Sequence, residues 1–421
     1  MKFIFLAMLG FVFTNAYTQN FVPNYDESKI PDYVLPQLLI SKDGSKVSTA
    51  TQWKNKRRNE LLANFQTYIY GKVPNGDVDV QTQLIKKLDA FGGKAIMKEV
   101  KITFSRNQKK ISMNLLIYLP KSGTKVPIFL ALNFNGNYTI INDPNISLTT
   151  SWVPNNEKFN ITDHQATESS RGSAHRRWPV EEIIDHGYGL ATIYYGDIDP
   201  DKNDFSDGIH PLFYTPGQVH PAKDEWGSIS AWAWGLSRAM DYLEKDDNID
   251  PSKVILLGHS RLGKAALWAG ATDERFAIVI SNESGCGGAA ISRRKIGETV
   301  ARINTSFPHW FCDNFKQFNN NEDALPVDQH MLIALIAPRP VYVASAEGDK
   351  WSDPKGEFFS AYYAGKVYQL FGLTGLPNDK MPKVNSPIMR TVGYHIRTGK
   401  HDLTDFDWNQ YLKFADLHFK K

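Results

Sequence analysis

The stretch Gly258-His259-Ser260-Arg261-Leu262-Gly263-Lys264 sets a hydroxyl between glycines, directly after the apolar run 254–257 and before an Ala/Leu/Trp-rich segment. This pattern predicts a strand, a sharp turn and a helix, with the serine held on a tight corner and its hydroxyl exposed above a sheet. The second glycine stands three places after the serine, not two as in G-x-S-x-G. Arg261 and Lys264 fall in the first turns of the predicted helix. The macrodipole is already positive there, so each cation typically costs about 0.3 to 1 kcal/mol. Something negative is expected to compensate.

A nucleophilic serine needs a base for its proton, an acid to orient that base, and donors for the oxyanion. Among eleven histidines, His401 stands out in Gly399-Lys400-His401-Asp402, a Gly-containing loop between the last predicted strand and the last predicted helix. Glu283 follows the predicted strand 276–280, and Glu347 and Asp349 follow the predicted strand 341–346, so each is a candidate for the orienting acid. Serine, then acid, then histidine is the chain order of α/β-hydrolases. The N–H of Arg261 is an expected oxyanion donor, and its guanidinium can add fixed positive charge where the tetrahedral intermediate becomes negative. The loop Asn133-Phe134-Asn135-Gly136-Asn137, after the predicted strand 126–132, is the expected source of a second N–H. His259 is read as a core or supporting residue and His395 as packing. No H-E-x-x-H, paired C-x-x-C, calcium-loop spacing or phosphate-binding glycine fingerprint is present. No metal and no cofactor are expected.

The elements that must position these residues follow from hydrophobic spacing. Trp53, Leu61, Leu62, Phe65 and Ile69 recur at intervals near three and four and predict a helix over 51–70. Residues 98–104 and 112–119 predict two antiparallel strands. The polar, aperiodic stretch 143–175 reads as a loop insertion, of the kind that forms walls or lids. A short helix over 181–186 leads to a strand over 190–195 and the polar turn Gly196-Asp197-Ile198-Asp199-Pro200. The helix over 226–243 precedes the nucleophile strand. The strand over 392–396 precedes a final helix entered at Asp407, with Gln410 as its capping partner. Strands alternating with helices, and reactive side chains at strand ends, predict an α/β fold. We expect a three-layer sandwich around a mostly parallel sheet, with its site along the carboxyl edge.

With 421 residues, 42% of them hydrophobic, the chain can bury a substantial core. Its net charge of +3 is spread among interspersed acids and bases, which gives no basic patch for nucleic acid. Lys2, the apolar run 3–13 and the small residues Thr14 and Ala16 form the three parts of a secretory signal peptide over 1–19. The run is too short to span a membrane. A single domain over 20–421, monomeric and secreted or periplasmic, is expected. In such a compartment the two cysteines, Cys286 and Cys312, are expected to form a disulfide.

The sequence resembles the glucuronoyl esterases, carbohydrate esterase family 15, and particularly their bacterial branch. The resemblance rests on the serine motif above and on Glu283-Ser284-Gly285-Cys286-Gly287-Gly288. It rests also on Phe307-Pro308-His309-Trp310-Phe311, on the stretch from Asp349-Lys350-Trp351-Ser352-Asp353 to Phe358, and on Gly399-Lys400-His401. Arg177-Trp178-Pro179 and Tyr194-Tyr195-Gly196-Asp197 are also similar to family segments, so most of the chain beyond the leader is covered. What this implies is a single α/β-hydrolase domain that cleaves the ester between glucuronic or 4-O-methylglucuronic acid of glucuronoxylan and an alcohol of lignin. It also implies Ser260 as nucleophile, His401 as base and Arg261 as oxyanion stabiliser. Glu283 matches the acid of fungal relatives, and Asp349 a second acid of many bacterial ones. Lys264, Glu298 and Trp351 match positions that contact the uronate sugar, although fungal relatives carry glutamine at Glu298. The competing readings are an acetylxylan or general carboxylesterase on the same fold, and a catalytically silent carbohydrate-binding relative.

Overall fold

The computed structural model describes residues 21–420. The leader read over 1–19 lies outside them. Nine strands form one sheet among the described residues: β1 (Asp79–Ala90), β2 (Ala95–Arg106), β3 (Lys109–Pro120), β4 (Val126–Asn133), β5 (Gly189–Tyr194), β6 (Ile249–His259), β7 (Ile278–Asn282), β8 (Val341–Ala346) and β9 (Val392–Arg397). Their spatial order is β1-β2-β3-β5-β4-β6-β7-β8-β9. The first three run antiparallel, and β3 meets β5 antiparallel. From β5 across to β9 every pairing is parallel.

The continuous apolar runs are explained by burial on both faces. Ile128, Leu130, Val254, Leu256 and Val343 point to one face. There they pack with Trp232 and Leu236 of helix Ser228–Leu243, Leu267 of helix Arg261–Thr272, and Phe358 and Val367 of helix Pro354–Leu370. Their alternates Phe129, Ala131, Ile255, Leu257 and Tyr342 point to the other face. They meet Ile183 of helix Val180–Asp185 and Trp408 and Tyr411 of helix Asp405–Phe419. The result is the expected three-layer α/β-hydrolase sandwich. Fully burying one such aliphatic or aromatic side chain contributes about 1.5 to 3 kcal/mol.

Four expectations need correction. The edge strand β1 has no counterpart in the hydrophobic reading, because almost all its residues face solvent. Residues 51–70 are helical as expected, but the turns widen to π geometry over Trp53–Arg57 and Gln66–Tyr70. The last helix begins at Asp405, not Asp407. Thr404 is its cap, and Asp407 closes the capping box by accepting the Thr404 N–H and hydroxyl, each at 2.8 Å. Gln410 instead donates to the Phe406 carbonyl within the helix. Cys286 and Cys312, finally, are buried free thiols and not a disulfide. The Cys312 sulfur turns to the Thr67 carbonyl at 3.7 Å, while Cys286 sits within the apolar core.

The stretch 143–175 is pinned down along its length. Thr149 and Ser151 donate their hydroxyls to Asp197, at 2.9 and 2.7 Å, and Arg171 donates to the carbonyls of Asp143 and Ile146. Just beyond it, Arg176 and Arg177 both grip Asp402, at 2.5 and 2.7 Å, which ties this region to the loop carrying His401.

Candidate active site

Ser260 sits between β6 and helix Arg261–Thr272 with φ 58° and ψ −130°. A non-glycine residue held there costs about 1 to 3 kcal/mol, and such strain clusters at active sites. The surrounding glycines are what make the corner possible. A Cβ on Gly258 would lie 2.0 Å from the Leu262 carbonyl oxygen, and one on Gly263 would lie 2.9 Å from the Ser284 side chain. The glycine three places after the serine is therefore needed where the helix crosses the end of β7. The Ser260 N–H is fixed by the Asn282 carbonyl at 2.9 Å.

Glu283 follows β7 directly and, like Ser260, has a positive φ, 49°. The loop after β8 and the loop after β9 meet at glycines. The Gly348 N–H donates to the Gly399 carbonyl at 2.8 Å, and a Cβ on Gly348 would lie 2.6 Å from that oxygen. This approach brings both acids to one ring: His401 Nδ1 is 2.6 Å from Asp349 Oδ2 and 3.1 Å from Glu283 Oε2. With Nδ1 so occupied, Nε2 is the nitrogen left to act as base. Glu347, the third candidate acid, is exposed and takes no part.

The two carboxyls are not equivalent. Burial dominates at Glu283 and raises its pKa to about 7. At Asp349 burial also opposes ionisation, but hydrogen bonds from His401 and Ser352 outweigh it and the pKa is lowered. Burial would lower the His401 pKa, yet its hydrogen bonds to Asp349 and Glu283 raise it to about 9. Beside it lies His259, with ring centroids 4.7 Å apart. Burial holds that ring well below the usual range, hence neutral, and its Nδ1 accepts from the Asn282 amide at 2.8 Å. His395 is fully buried between Tyr342 and Asp407, the packing role expected of it. The ligand-type atoms of His259, Glu283 and His401 lie within 4.8 Å of one another, and each already has one of these partners.

The negative group expected to offset the helix-start cations is Asp201, a residue that spacing alone did not single out. Its carboxylate is buried and accepts from Arg261 and from Tyr195 at 3.2 Å, and on its other oxygen from His309 at 2.8 Å and Trp310 at 2.7 Å. The Arg261 guanidinium also lies over the rings of Trp310, Phe134 and Phe307, 5.0 to 5.7 Å from their centroids. Phe134 comes from the loop after β4, the expected second oxyanion source. Lys264, one turn further on, is buried. It donates to the Ser284 carbonyl at 2.6 Å and stands 3.9 Å from Glu298. Burial lowers the Lys264 pKa and raises that of Glu298. The Glu298 N–H donates to the Trp351 carbonyl at 3.0 Å, so Lys264, Glu298 and Trp351 form one contiguous wall.

A second residue missed by pattern reasoning is Arg397, at the end of β9. It donates to both oxygens of Asp407, to Glu283 at 2.5 Å, and to the carbonyls of Thr398, Lys400 and Asp402. Together with the Asp402 N–H, 2.9 Å from Glu283 Oε2, it shapes the histidine loop around the acid. The one signal in the sequence is an arginine ending an apolar strand just before a glycine loop.

The strained Ser260, His401 with its two carboxylates, and the cations Arg261 and Lys264 thus stand at the ends of neighbouring strands. The family model for fungal glucuronyl esterases matches residues 179–372. A carbohydrate esterase named MZ0003, from an unknown prokaryotic organism, is 56% identical over 396 residues, spanning 94% of this chain and 92% of that protein. Among solved structures, a promiscuous CE15 esterase from a marine bacterial metagenome superposes with a TM-score of 0.90 at 56% identity, over 94% of this chain and 100% of that one. A glucuronoyl esterase from Solibacter usitatus superposes with a TM-score of 0.88 at 49% identity, over 93% and 100%. On the strength of the serine corner, its two-acid histidine and these full-length likenesses, the chain belongs to carbohydrate esterase family 15, the glucuronoyl esterases.

Proposed function

We propose that this protein hydrolyses esters of glucuronic or 4-O-methylglucuronic acid on glucuronoxylan, releasing the alcohol contributed by lignin. The observation that carries the reading is His401 Nδ1 facing both Asp349 and Glu283, with its ring against His259, the residue that precedes the strained Ser260. Ser260 Oγ attacks the ester carbonyl while His401 Nε2 takes its proton. The oxyanion meets the Arg261 N–H, which as the first N–H of its helix has no intrahelical acceptor, and the Arg261 guanidinium held by Asp201. Collapse breaks the ester C–O bond, and the imidazolium returns the proton to the leaving alcohol. Water, deprotonated by the same ring, then attacks the acyl-serine carbonyl, and on collapse the C–Oγ bond breaks as the imidazolium returns the proton to Ser260 Oγ, freeing the uronate. Lys264, Glu298 and Trp351 hold the sugar ring, with Trp351 as its aromatic face. Both the transition state and the product are negative, which accounts for cations at a helix start. A single domain working as a monomer in the periplasm or medium after loss of the leader belongs to the same proposal.

The direct measurement is alcohol release from a methyl glucuronate ester. Wild type should exceed Ser260→Ala by about 10⁴-fold or more in kcat, and equal rates would end the proposal. Faster turnover of aryl acetates or acetylated xylan than of the glucuronate ester would favour a general carboxylesterase instead.

A further inference from the structure

The wall formed by Glu298 and Trp351 is held from outside by the segment that opens the described chain. The Phe21 ring meets the Trp351 ring edge-on, with centroids 6.1 Å apart and planes at 85°, and the Arg302 guanidinium lies 5.3 Å from the Phe21 centroid. Three residues on, the Asn24 carbonyl accepts the Gly297 N–H at 2.9 Å. Gly297 has φ 63°, and a Cβ there would lie 2.3 Å from the Trp351 carbonyl oxygen, so this backbone stands hard against the tryptophan. Glu27 then bridges Arg294 at 2.5 Å and Lys355 at 2.8 Å. Arg294 in turn pairs with Asp353, the cap of helix Pro354–Leu370, two residues after Trp351. The arm thus touches both sides of the wall, at Arg294, Gly297 and Arg302 around Glu298 and at Trp351 and Lys355 on the other side. Phe21 is 37% exposed, so its contact adds little to the core while it limits how Trp351 can tilt.

We infer that the arm 21–27 acts as an outer clamp on the sugar wall, with Phe21 a positioning residue that works through Trp351. The inference rests on the proposed reading of Trp351 as the platform for the sugar ring. An ordered platform improves binding of any ester whose acyl part is a hexuronate, and it does nothing for a small acetyl group that never reaches it. The clamp acts on binding and not on the reacting atoms, so its signature is in KM and not in kcat.

The test compares Phe21→Ala, Phe21→Trp and Trp351→Ala with wild type in the full chain, on a methyl glucuronate ester and on an aryl acetate. Phe21→Ala should raise KM for the glucuronate ester by about 3- to 10-fold at unchanged kcat, the scale of one lost aromatic pair. Kinetics on the aryl acetate should stay within about twofold. Phe21→Trp should restore KM, and Trp351→Ala should raise it at least as far as Phe21→Ala does. If Trp351→Ala raises KM and Phe21→Ala does not, the clamp is refuted and the platform stands. If Trp351→Ala leaves KM unchanged, the platform reading fails and the clamp with it. Equal kcat losses on both substrates in Phe21→Ala, with a lowered melting temperature, would show a purely structural contact and also overturn the inference.

Discussion

One imidazole nitrogen facing two carboxylates, at 2.6 and 3.1 Å, is the unusual feature among single residues. Two buried anions that close are costly together unless the ring between them is positive, and the shifts follow from that. Glu283 rises to about 7 through burial, while the carboxylates lift His401 to about 9. The three groups titrate as a unit. At neutral pH the free enzyme therefore rests largely with a protonated ring, and the base form grows as pH rises, so kcat/KM should climb through this range. Removing one anion withdraws stabilisation from the imidazolium, lowers its pKa and moves the rising limb to lower pH. Glu283→Gln and Asp349→Asn should each keep partial activity with that shift, and the double change should lose about 10⁴-fold. A pH profile of kcat/KM for the three variants checks it. Complete loss from one single change and none from the other would refute sharing.

The unit that matters among the elements is the set of strand ends, and Arg397 ties two of them to the start of the last helix. From β9 it reaches Glu283 after β7, Asp407 in the first turn of helix Asp405–Phe419, and the carbonyls of the histidine loop. Replacing it by methionine keeps the volume but leaves Glu283 and Asp407 buried without their cation. Loss of one partner of a buried ionic network costs about 3 to 5 kcal/mol, so Arg397→Met should lower the unfolding free energy obtained from urea titration by that margin. An unchanged unfolding free energy would refute this bracing role for Arg397. This network also marks where reading the sequence stops. The runs 254–257 and 341–346 were legible as strands because both their faces are apolar, and Ser260, His401 and the two acids were legible because each closes or follows such a run. Arg397 and Asp201 were not, because a charged residue's partners are decided by which loops meet, and nothing local records that. The edge strand β1 failed for the opposite reason: Val80, Leu84 and Leu88 are 40 to 52% exposed, so no core-facing pattern marks it. The choice among Glu283, Glu347 and Asp349 needed the meeting of Gly348 with Gly399 before it could be made.

Across the whole molecule, the two faces of the sheet carry separate apolar cores, and both cysteines are buried as thiols. Expecting a bridge from an even count of cysteines draws its force from small secreted domains, whose cores are too slight to hold without cross-links. A chain of 421 residues with apolar packing on both sides of its parallel strands does not share that need. Burial pushes the Cys312 thiol up to about 12 and Cys286 well above its ordinary value, so both stay protonated and unreactive while the fold is intact. Native protein should therefore resist a thiol reagent, and protein unfolded in guanidinium without reductant should titrate two thiols per chain. Reductant should leave the melting temperature unchanged, whereas losing a native disulfide would cost about 2 to 5 kcal/mol. No thiols on unfolding, together with a melting temperature that falls in reductant, would show that the two sulfurs are joined and that the loops after β7 and before Phe315 are stapled and not simply packed.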